Sequence, residues 1–253
     1  MSLDFDAIDR ALADPFSLAG KTVLVSGAAG GIGRAAATIC VKQQANVIAA
    51  DVVCESEWRS GCQPELASVP YHRVDASDRA AVDALAARIG PVWAVIDAAG
   101  ISPLDDWTDE NWDAAFDQVL HINTRGPINL ARAFMPGMIA AGGGRIVLTG
   151  SVAGRMGGIK CGPHYAVSKG GLQSLTRWLA QRGIRDNVLV NMVAPGSIAT
   201  PMAAAMQIDP LIYPQGRAGR PLEMGATMAF LCSPGAGFIA GAVIDVNGGT
   251  YFG

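Results

Sequence analysis

The chain has 253 residues, of which 50% are hydrophobic and 16% are charged, and its formal net charge is −3 at pH 7. This composition excludes a disordered chain, which would be polar and highly charged, and the charge balance suits neither nucleic acid nor an anionic membrane surface. The two uncharged stretches long enough to span a membrane are interrupted by Pro195-Gly196 and Ser233-Pro234-Gly235, so we expect no membrane helix. Five cysteines without a Cys-x-x-Cys pair indicate a reducing compartment, and we expect a cytoplasmic protein.

Strand-like and helix-like segments alternate along the chain after a polar lead-in, residues 1–20, which holds one short predicted helix over Phe5 to Ala13. Apolar runs predict strands over Thr22–Ser26, Asn46–Ala50, Val69–Val74, Val92–Asp97, Arg145–Thr149, Val188–Val193 and Ala242–Val246. Helical spacing predicts helices over Ile32–Gln44, Asp78–Ile89, Asp109–Met138, Tyr165–Ile184 and Leu222–Leu231, whereas Val52–Ser68 predicts a short helix and a loop. Strands that are apolar on both faces and alternate with helices predict a doubly wound (Rossmann) α/β fold. We expect a single domain over residues 21–253, with a seven-stranded parallel sheet and helices on both faces.

A glycine-rich turn follows the first predicted strand and precedes an Ala-rich helix. Gly27 allows the tight turn, Gly31 lets the backbone approach a pyrophosphate, and Gly33 lets the helix pack close to the strand. N–H groups at the start of the helix, which include that of Ile32, can bind the phosphates. Asp51 lies 18 residues after Gly33, at the end of the second strand, where a carboxylate can accept both ribose hydroxyls of an adenosine. The alternative is a merely glycine-rich turn beside a solvated aspartate.

The spacing Gly-x-x-x-Gly-x-Gly resembles that of the short-chain dehydrogenase/reductase family, and the resemblance extends from about Gly20 to Gly249. Tyr165-Ala166-Val167-Ser168-Lys169 matches the family's Tyr-x-x-x-Lys, Asn123 falls where the family has a helix asparagine, and Ser151 ends the fifth strand. Asp97-Ala98-Ala99-Gly100 resembles the family's Asn-Asn-Ala-Gly, although both asparagines are replaced. The run Asn191-Met192-Val193-Ala194-Pro195-Gly196, followed by Thr200-Pro201, is similar to the segment that flanks the nicotinamide.

The resemblance implies two overlapping sets of site residues. The catalytic set is Asn123, Ser151, Tyr165 and Lys169. The set expected to bind NAD is Gly27, Gly31, Ile32, Gly33, Asp51, Asp75, Ala99, Gly100, Tyr165, Lys169, Pro195, Gly196, Ile198 and Thr200. Asp75 ends the third strand and is expected near the adenine, with a solvated turn acid as the alternative. His72 and His121 have no acidic or cysteine partners at ligand spacing, so we predict no metal site.

Tyr165 and Lys169 are four residues apart on a predicted helix, so their side chains share one face. A phenol titrates near ~10, and a nearby ammonium favours the phenolate and lowers that pKa. We therefore expect Tyr165 to act as the general acid of carbonyl reduction and the general base of alcohol oxidation. Ser151 is expected to donate a hydrogen bond to the reacting oxygen. Thr149 is the alternative donor, because Ser151 lies 14 residues before Tyr165, slightly farther than the resemblance implies.

These residues predict an NAD-dependent oxidoreductase that transfers a hydride between the nicotinamide and a secondary alcohol or its ketone. NAD is preferred over NADP because Asp51 would repel a 2′-phosphate, and because Ala28, Ala29 and Gly30 offer no cation to bind one. One alternative is a sugar-nucleotide epimerase or dehydratase, against which the loop spacing and the short tail after Gly196 count. The other is a non-catalytic, nucleotide-sensing regulator on the same fold, which would be expected to have lost the tyrosine or the lysine.

The substrate is expected to be neutral and moderately hydrophobic, because the candidate pocket residues are mostly apolar. They are Met156, Ile159, Pro163, Ser197, Met202 and Met206, with Arg155 and Lys160 as charged neighbours. Met202 and Met206 are four residues apart and either cover the substrate or pack in the core. His164 and Cys161 stand close to Tyr165. His164 is either a pocket-wall or surface residue or a second base, to which the resemblance assigns no role, and Cys161 either packs or is a reactive pocket thiol. The resemblance implies a homotetramer that pairs through the long helices and through the last helix and strand.

A proline interrupts the long predicted helix Asp109–Met138. Pro127 has no N–H, so it cannot donate to the carbonyl of Asn123, and the helix should kink there. A carbonyl freed in this way can hold an ordered water. We expect a proton relay from the substrate through Tyr165, the cofactor ribose and Lys169 to a water on the Asn123 carbonyl. The alternative is that Pro127 begins a second helix and Asn123 only caps it.

Overall fold

A computed structural model of the chain describes residues 5–158, 160–207, 209 and 213–253. Its strands are β1 (Thr22–Ser26), β2 (Asn46–Asp51), β3 (Tyr71–Arg73), β4 (Ala94–Asp97), β5 (Gly144–Thr149), β6 (Val188–Pro195) and β7 (Val243–Val246). They form one parallel seven-stranded sheet in the order β3-β2-β1-β4-β5-β6-β7. The strand order reverses between β1 and β4, and ligands of doubly wound sheets bind at the carboxyl ends of the strands beside such a reversal. The predicted fold class is confirmed.

Helices cover both faces of the sheet. They are α1 (Phe5–Leu12), α2 (Gly31–Lys42), α3 (Glu55–Ser60), α4 (Arg79–Ile89), α5 (Trp112–Leu120), α6 (Gly126–Ala140), α7 (Ala153–Met156), α8 (Pro163–Gly183), α9 (Pro201–Ala205) and α10 (Pro221–Cys232). One core layer joins the sheet to α2 and α10, and a second joins it to α4, α6 and α8. Because both faces are covered, the central strands are apolar on both sides: every residue of β5 and β6 is buried. Among the described residues, no helix combines the length and the apolarity needed to cross a membrane.

The long helix predicted over Asp109–Met138 is two α-helices, and that prediction is corrected. α5 ends at Leu120, the π-helical turn His121–Arg125 follows, and α6 begins at Gly126. Pro127 stands in the first turn of α6 and has no N–H that it could donate to a carbonyl of the preceding π turn. The disturbance expected at Asn123 therefore takes the form of a local π turn. Single π turns within helices are frequently found at functional sites.

Other differences from the predicted elements are small. β3 covers three residues, whereas six were predicted. α7 and α9 are two short helices that were not predicted from the sequence. Val52–Ser68 holds α3 and the 3-10 turn Pro64–Leu66, both fixed by Trp58. That indole is fully buried and stacks on Tyr71 with ring centroids 5.0 Å apart. The lead-in is attached to the domain, because the Pro15 carbonyl accepts a hydrogen bond from the Gly235 N–H at 2.7 Å.

Candidate active site

The glycine loop between β1 and α2 is built by close backbone contacts. Gly27 has φ 71°, in the left-handed region that favours glycine, and a Cβ there would overlap the backbone of Ala98 and Ala99. A Cβ on Gly33 would overlap the Gly27 carbonyl, so α2 starts directly against the turn. The first N–H groups of α2, including that of Ile32, have no partners within the helix. The loop therefore forms a cradle of the kind that binds a dinucleotide pyrophosphate.

Asp51 closes β2 beside this loop and is half-buried. Its Oδ2 accepts from the Ala29 N–H at 2.9 Å, and its Oδ1 accepts from the Val52 N–H at 2.7 Å. Arg34, on the first turn of α2, donates to the carbonyls of Ala29 and Trp58 at 3.3 and 3.2 Å. The carboxylate is thus fixed at the strand end where the sequence predicts the adenosine ribose.

The segment after β4 carries Ala99 and Gly100 towards the same region. The Asn123 carboxamide holds this segment, since its Oδ1 accepts from the Ile101 N–H at 2.8 Å and its Nδ2 donates to the Ile101 carbonyl at 2.9 Å. Nδ2 also lies 3.1 Å from the Ser168 hydroxyl on α8. The side chain of Asn123 therefore joins the π turn to the loop and to α8 and does not cap α6. The partner of its backbone carbonyl stays a prediction.

Tyr165 lies in the first turn of α8, which begins at Pro163 and so directs the phenol towards the end of β5. The Ser151 hydroxyl hydrogen-bonds to the Tyr165 phenol and also accepts from the Ala153 N–H at 3.1 Å. Thr149, the alternative to Ser151, donates its hydroxyl to the Asp97 carbonyl. Ser151 is therefore the hydroxyl positioned beside the tyrosine, and the alternative is set aside.

Lys169 lies one turn further along α8 and is almost fully buried. Its Nζ donates to the Thr149 carbonyl at 2.8 Å and lies 5.7 Å from the centre of the Tyr165 ring. Burial lowers the pKa of Lys169 to about 8, and the negative charge of Asp97 opposes that shift. Burial of an ammonium is unfavourable because the charge loses its hydration. Here the Thr149 carbonyl and the Asp97 carboxylate offset that loss.

The lowered pKa expected for Tyr165 is not found in this structure. Burial raises the pKa of Tyr165, and its hydrogen bond from Ser151 opposes the rise. Lys169 directs its proton to the Thr149 carbonyl and not to the phenol. Desolvation raises the pKa of the phenol more than the distant ammonium lowers it. Such a rise is the general effect of burial on a phenol.

An apolar cavity of about 130 Å³ adjoins Tyr165 and Ser151. Its remaining walls come from the glycine loop, the α7 region and the segment after β6: Ile32, Val152, Ala153, Met156, Gly158, Lys160, Cys161, Pro195, Gly196, Ser197, Ile198, Thr200, Met202, Ala203, Met206, Tyr213 and Thr250. The segment after β6 reaches the glycine loop, because a Cβ on Gly31 would sit 2.7 Å from the Thr200 methyl group. The predicted cofactor segment and the predicted catalytic residues therefore meet at one cavity.

Several predicted pocket residues lie elsewhere. Arg155 pairs with Asp245 at 3.4 Å, and neither it nor Pro163 is among the lining residues. Ile159 lies outside the described residues. Asp75 accepts from the Ser77 N–H at 2.8 Å at the end of β3, so one of its oxygens supports the turn.

His164 is fully buried, and its Nε2 lies 3.1 Å from Oδ2 of Asp105. The described residues contain no group of three or more His, Cys, Asp or Glu side chains that could hold a metal ion.

The sequence did not predict a role for Asp97 or for six of the residues that line the cavity: Val152, Ala153, Gly158, Ala203, Tyr213 and Thr250. Asp97 was noted only as a departure from a motif, although a carboxylate at the end of a buried strand is itself a signal. Tyr213 lines the cavity from a distant loop, and nothing in its local sequence indicates that contact.

A glycine cradle at the switch point of a parallel sheet, joined to a Ser–Tyr–Lys cluster at an apolar cavity, is the site of a nicotinamide-dependent dehydrogenase or reductase. A family model described as enoyl-(acyl carrier protein) reductase matches residues 27–251. The galactitol 2-dehydrogenase (L-tagatose-forming) of Cereibacter sphaeroides is 34% identical over 92% of this chain and 96% of its own length.

Solved structures give the same result. A short chain dehydrogenase/reductase family protein superposes with a TM-score of 0.86 at 31% identity, covering 93% of this chain and 99% of its own. A putative NAD(P) dependent gluconate 5-dehydrogenase from Beutenbergia cavernae, with bound NADP at low occupancy, gives 0.82 at 31% identity, with 93% and 98% covered. This chain belongs to the short-chain dehydrogenase/reductase family. It is a nicotinamide-dependent oxidoreductase of the type that acts on secondary alcohols and ketones.

Proposed function

We propose that the protein transfers a hydride between NAD and a neutral, moderately hydrophobic secondary alcohol or its ketone, with Tyr165 as general acid and base. The observation that supports this most directly is the Tyr165 phenol, hydrogen-bonded to Ser151 at the wall of an apolar cavity. The same cavity is lined by Ile32 of the glycine loop and by Thr200 after β6. The reacting oxygen can therefore meet a proton donor beside the segments that would hold the cofactor.

The chain supplies the proton chemistry and the orientation of the reactants. In ketone reduction, the Tyr165 hydroxyl gives its proton to the carbonyl oxygen, and Ser151 donates a hydrogen bond to the same oxygen as negative charge develops on it. In alcohol oxidation, Tyr165 takes the hydroxyl proton. The charged Lys169, whose Nζ lies 5.7 Å from the centre of the Tyr165 ring, would favour the Tyr165 phenolate and would donate to the ribose of a bound cofactor. When bound, the nicotinamide supplies the hydride or accepts it.

The residues fit a dinucleotide, since Gly27 and Gly33 leave no room for a Cβ and so hold α2 tightly against the turn, and the first N–H groups of α2 have no helical partners. In this proposal, Gly31, Ile32 and Gly33 bind the pyrophosphate, and Asp51 binds the adenosine ribose. The adenine would lie near Asp75, and the nicotinamide half would be held by Ala99, Gly100, Pro195, Gly196, Ile198 and Thr200. The proposed cofactor is NAD because the carboxylate of Asp51 would repel the 2′-phosphate of NADP.

Asn123 has two parts in the proposal. Its carboxamide holds Ile101 and Ser168, and its backbone carbonyl, in the π turn, binds the water that connects Lys169 to solvent. The presence of Ser151, Tyr165 and Lys169 in one cluster counts against a non-catalytic regulator. The dehydrogenases and reductases among its relatives count against an epimerase or dehydratase.

We further propose a cytoplasmic homotetramer. All five cysteines are free thiols, as suits a reducing compartment. Apolar side chains are exposed on the helices through which the family resemblance implies pairing: Ile128 and Ile139 on α6, and Val167 and Trp178 on α8.

The test is NADH formation with a panel of secondary alcohols at mildly alkaline pH. The panel contains galactitol and gluconate, after two relatives, beside neutral aliphatic and cyclic secondary alcohols, for which we expect the higher kcat/KM. Tyr165→Phe should abolish turnover and leave NADH binding, measured by fluorescence, nearly unchanged. Activity of this variant within tenfold of the wild type would show that another group carries the proton, and inactivity of the wild type over a broad panel would favour the regulator.

A further inference from the structure

Behind the cavity lies a buried carboxylate that the proposed reaction does not use. Asp97 is the last residue of β4 and only 2% exposed. It accepts hydrogen bonds from the Ala99 N–H, at 3.3 Å, and from the Ser26 hydroxyl. Buried aspartates are rare unless they are paired, and in the motif that this segment resembles, an asparagine stands here. This chain therefore keeps a charge where a neutral amide would satisfy the same N–H group.

The structure links the backbone of Asp97 to Lys169 through Thr149. The Thr149 hydroxyl donates to the backbone carbonyl of Asp97, and the Thr149 carbonyl accepts from Lys169 Nζ at 2.8 Å. A Cβ on Gly100, three residues after Asp97, would sit 3.2 Å from the same Nζ. The segment that begins with Asp97 thus wraps around the ammonium, and both charged side chains are at most 4% exposed.

Each of the two buried groups stabilises the charged form of the other. Burial raises the pKa of Asp97 to about 6, and Lys169 opposes that rise; burial lowers the pKa of Lys169 to about 8, and Asp97 opposes that fall. The other groups around the ammonium are the Thr149 carbonyl on β5, the carboxamide of Asn123 in the π turn and the Tyr165 phenol on α8. Asp97 is the charged group that acts on Lys169.

We propose that Asp97 is a positioning residue that acts through Lys169, holding the buried ammonium in its charged form beside Tyr165 and the cofactor ribose. The proposal rests on the proposed function, in which Lys169 stabilises the phenolate. It goes beyond it by assigning the acid that keeps Lys169 protonated in a dry site. A chain with asparagine at this position has no such charge, so its lysine should lose its proton at lower pH.

The sign of the pH effect follows from the two pKa values. As pH rises through about 8, Lys169 loses its proton, and the Tyr165 phenolate loses its support. Removing the carboxylate makes this happen earlier, by about one pH unit, since an opposite charge a few ångströms away shifts a pKa by about 1 to 3 units. Protonation of Asp97 near pH 6 also lowers the pKa of Lys169. Lys169 nevertheless keeps its proton there, because the pKa of Lys169 remains above that pH.

The experiment is a titration of Lys169 by NMR in full-length protein labelled with 13Cε-lysine. The chain has only four lysines, Lys21, Lys42, Lys160 and Lys169, and Lys169→Arg assigns the fourth resonance. Asp97→Asn retains the acceptor for the Ala99 N–H and removes only the charge. Asp83→Asn, on the exposed face of α4, is the matched control, because Asp83 is about half exposed and its ion-pair partner among the described residues is Arg79, on the same helix.

Asp97→Asn should lower the midpoint of Lys169 by about one unit, and the alkaline limb of kcat/KM with NAD should move by the same amount. Asp83→Asn should change neither. A Lys169 midpoint that is the same in wild type and Asp97→Asn, or that rises, would overturn the proposal. If Asp97→Asn does not fold, the wild-type protein alone still tests the coupling. Its Lys169 resonance must show a second inflection near pH 6, where Asp97 titrates. A single inflection refutes the coupling.

The two proposals fail in different ways. If Tyr165→Phe retains turnover while Lys169 responds to Asp97 as described, the proposed function is wrong and the coupling stands. If Tyr165→Phe is inactive and Lys169 is indifferent to Asp97, the function stands and Asp97 has only a structural part.

Discussion

Replacing Asp51 by asparagine should change which cofactor the protein prefers. The asparagine Oδ1 can still accept from the Ala29 N–H, which Asp51 Oδ2 now holds at 2.9 Å, so the contact with the loop is retained, while the charge and the bond from the Val52 N–H are lost. Arg34, the cation of this loop, already donates to the carbonyls of Ala29 and Trp58. The wild-type chain therefore presents a fixed negative charge, half-buried, at the expected ribose position.

The magnitude follows from Coulomb's law. At about 5 Å, with an effective dielectric constant between about 20 and 80, each unit of phosphate charge is repelled by about 1 to 3 kcal/mol. A phosphate monoester carries about −1.5 to −2 at pH 7, so the lower ends of both ranges together give about 1.5 kcal/mol, or about tenfold. We expect the wild type to favour NAD by at least this factor, and Asp51→Asn to remove most of it.

The assay is kcat/KM for NAD and for NADP with one alcohol, measured for wild type, Asp51→Asn and the exposed control Asp83→Asn. The control should leave the ratio of the two values unchanged. A wild type that uses both cofactors equally, or prefers the NADP bound by the gluconate 5-dehydrogenase relative, would refute the electrostatic argument. So would an Asp51→Asn ratio equal to that of the wild type.

Three further outcomes are expected. Ser151→Ala should lower kcat by about 100- to 1,000-fold without weakening NADH binding, because the oxygen loses one hydrogen-bond donor; a loss below tenfold would contradict the assignment. Gly27→Ala should lower the free energy of unfolding by more than about 2 kcal/mol in urea titrations and abolish NADH binding. The reason is that the added Cβ overlaps the Ala98–Ala99 backbone at a left-handed φ. Unchanged stability would mean that the turn can relax. Light scattering should return four times the chain mass of 26.1 kDa, and a value of one chain mass would exclude the tetramer.

The sequence alone was sufficient to predict the sheet and to nominate candidate site residues, because both depend on short-range patterns. Apolar runs located all seven strands, and the Tyr165–Lys169 spacing put both residues on one helix face. The glycine triplet indicated the dinucleotide cradle for the same reason: the turn, the strand and the helix it joins are adjacent in the chain. Local geometry also signalled the disturbance at Pro127, although not its form as a π turn.

Tertiary structure alone decided the electrostatics and the choice between neighbouring hydroxyls. Thr149 and Ser151 are two residues apart, and only the packing of β5 against β4 directs the first to the Asp97 carbonyl and leaves the second beside Tyr165. The sequence predicted a lowered pKa for Tyr165 from its spacing to Lys169, but burial reversed the direction. Asp97 and Lys169 are 72 residues apart in the sequence, so no local pattern could pair them. Desolvation and charge coupling depend on which residues surround a group in space, and that is determined only when β1, β4, β5 and α8 pack together.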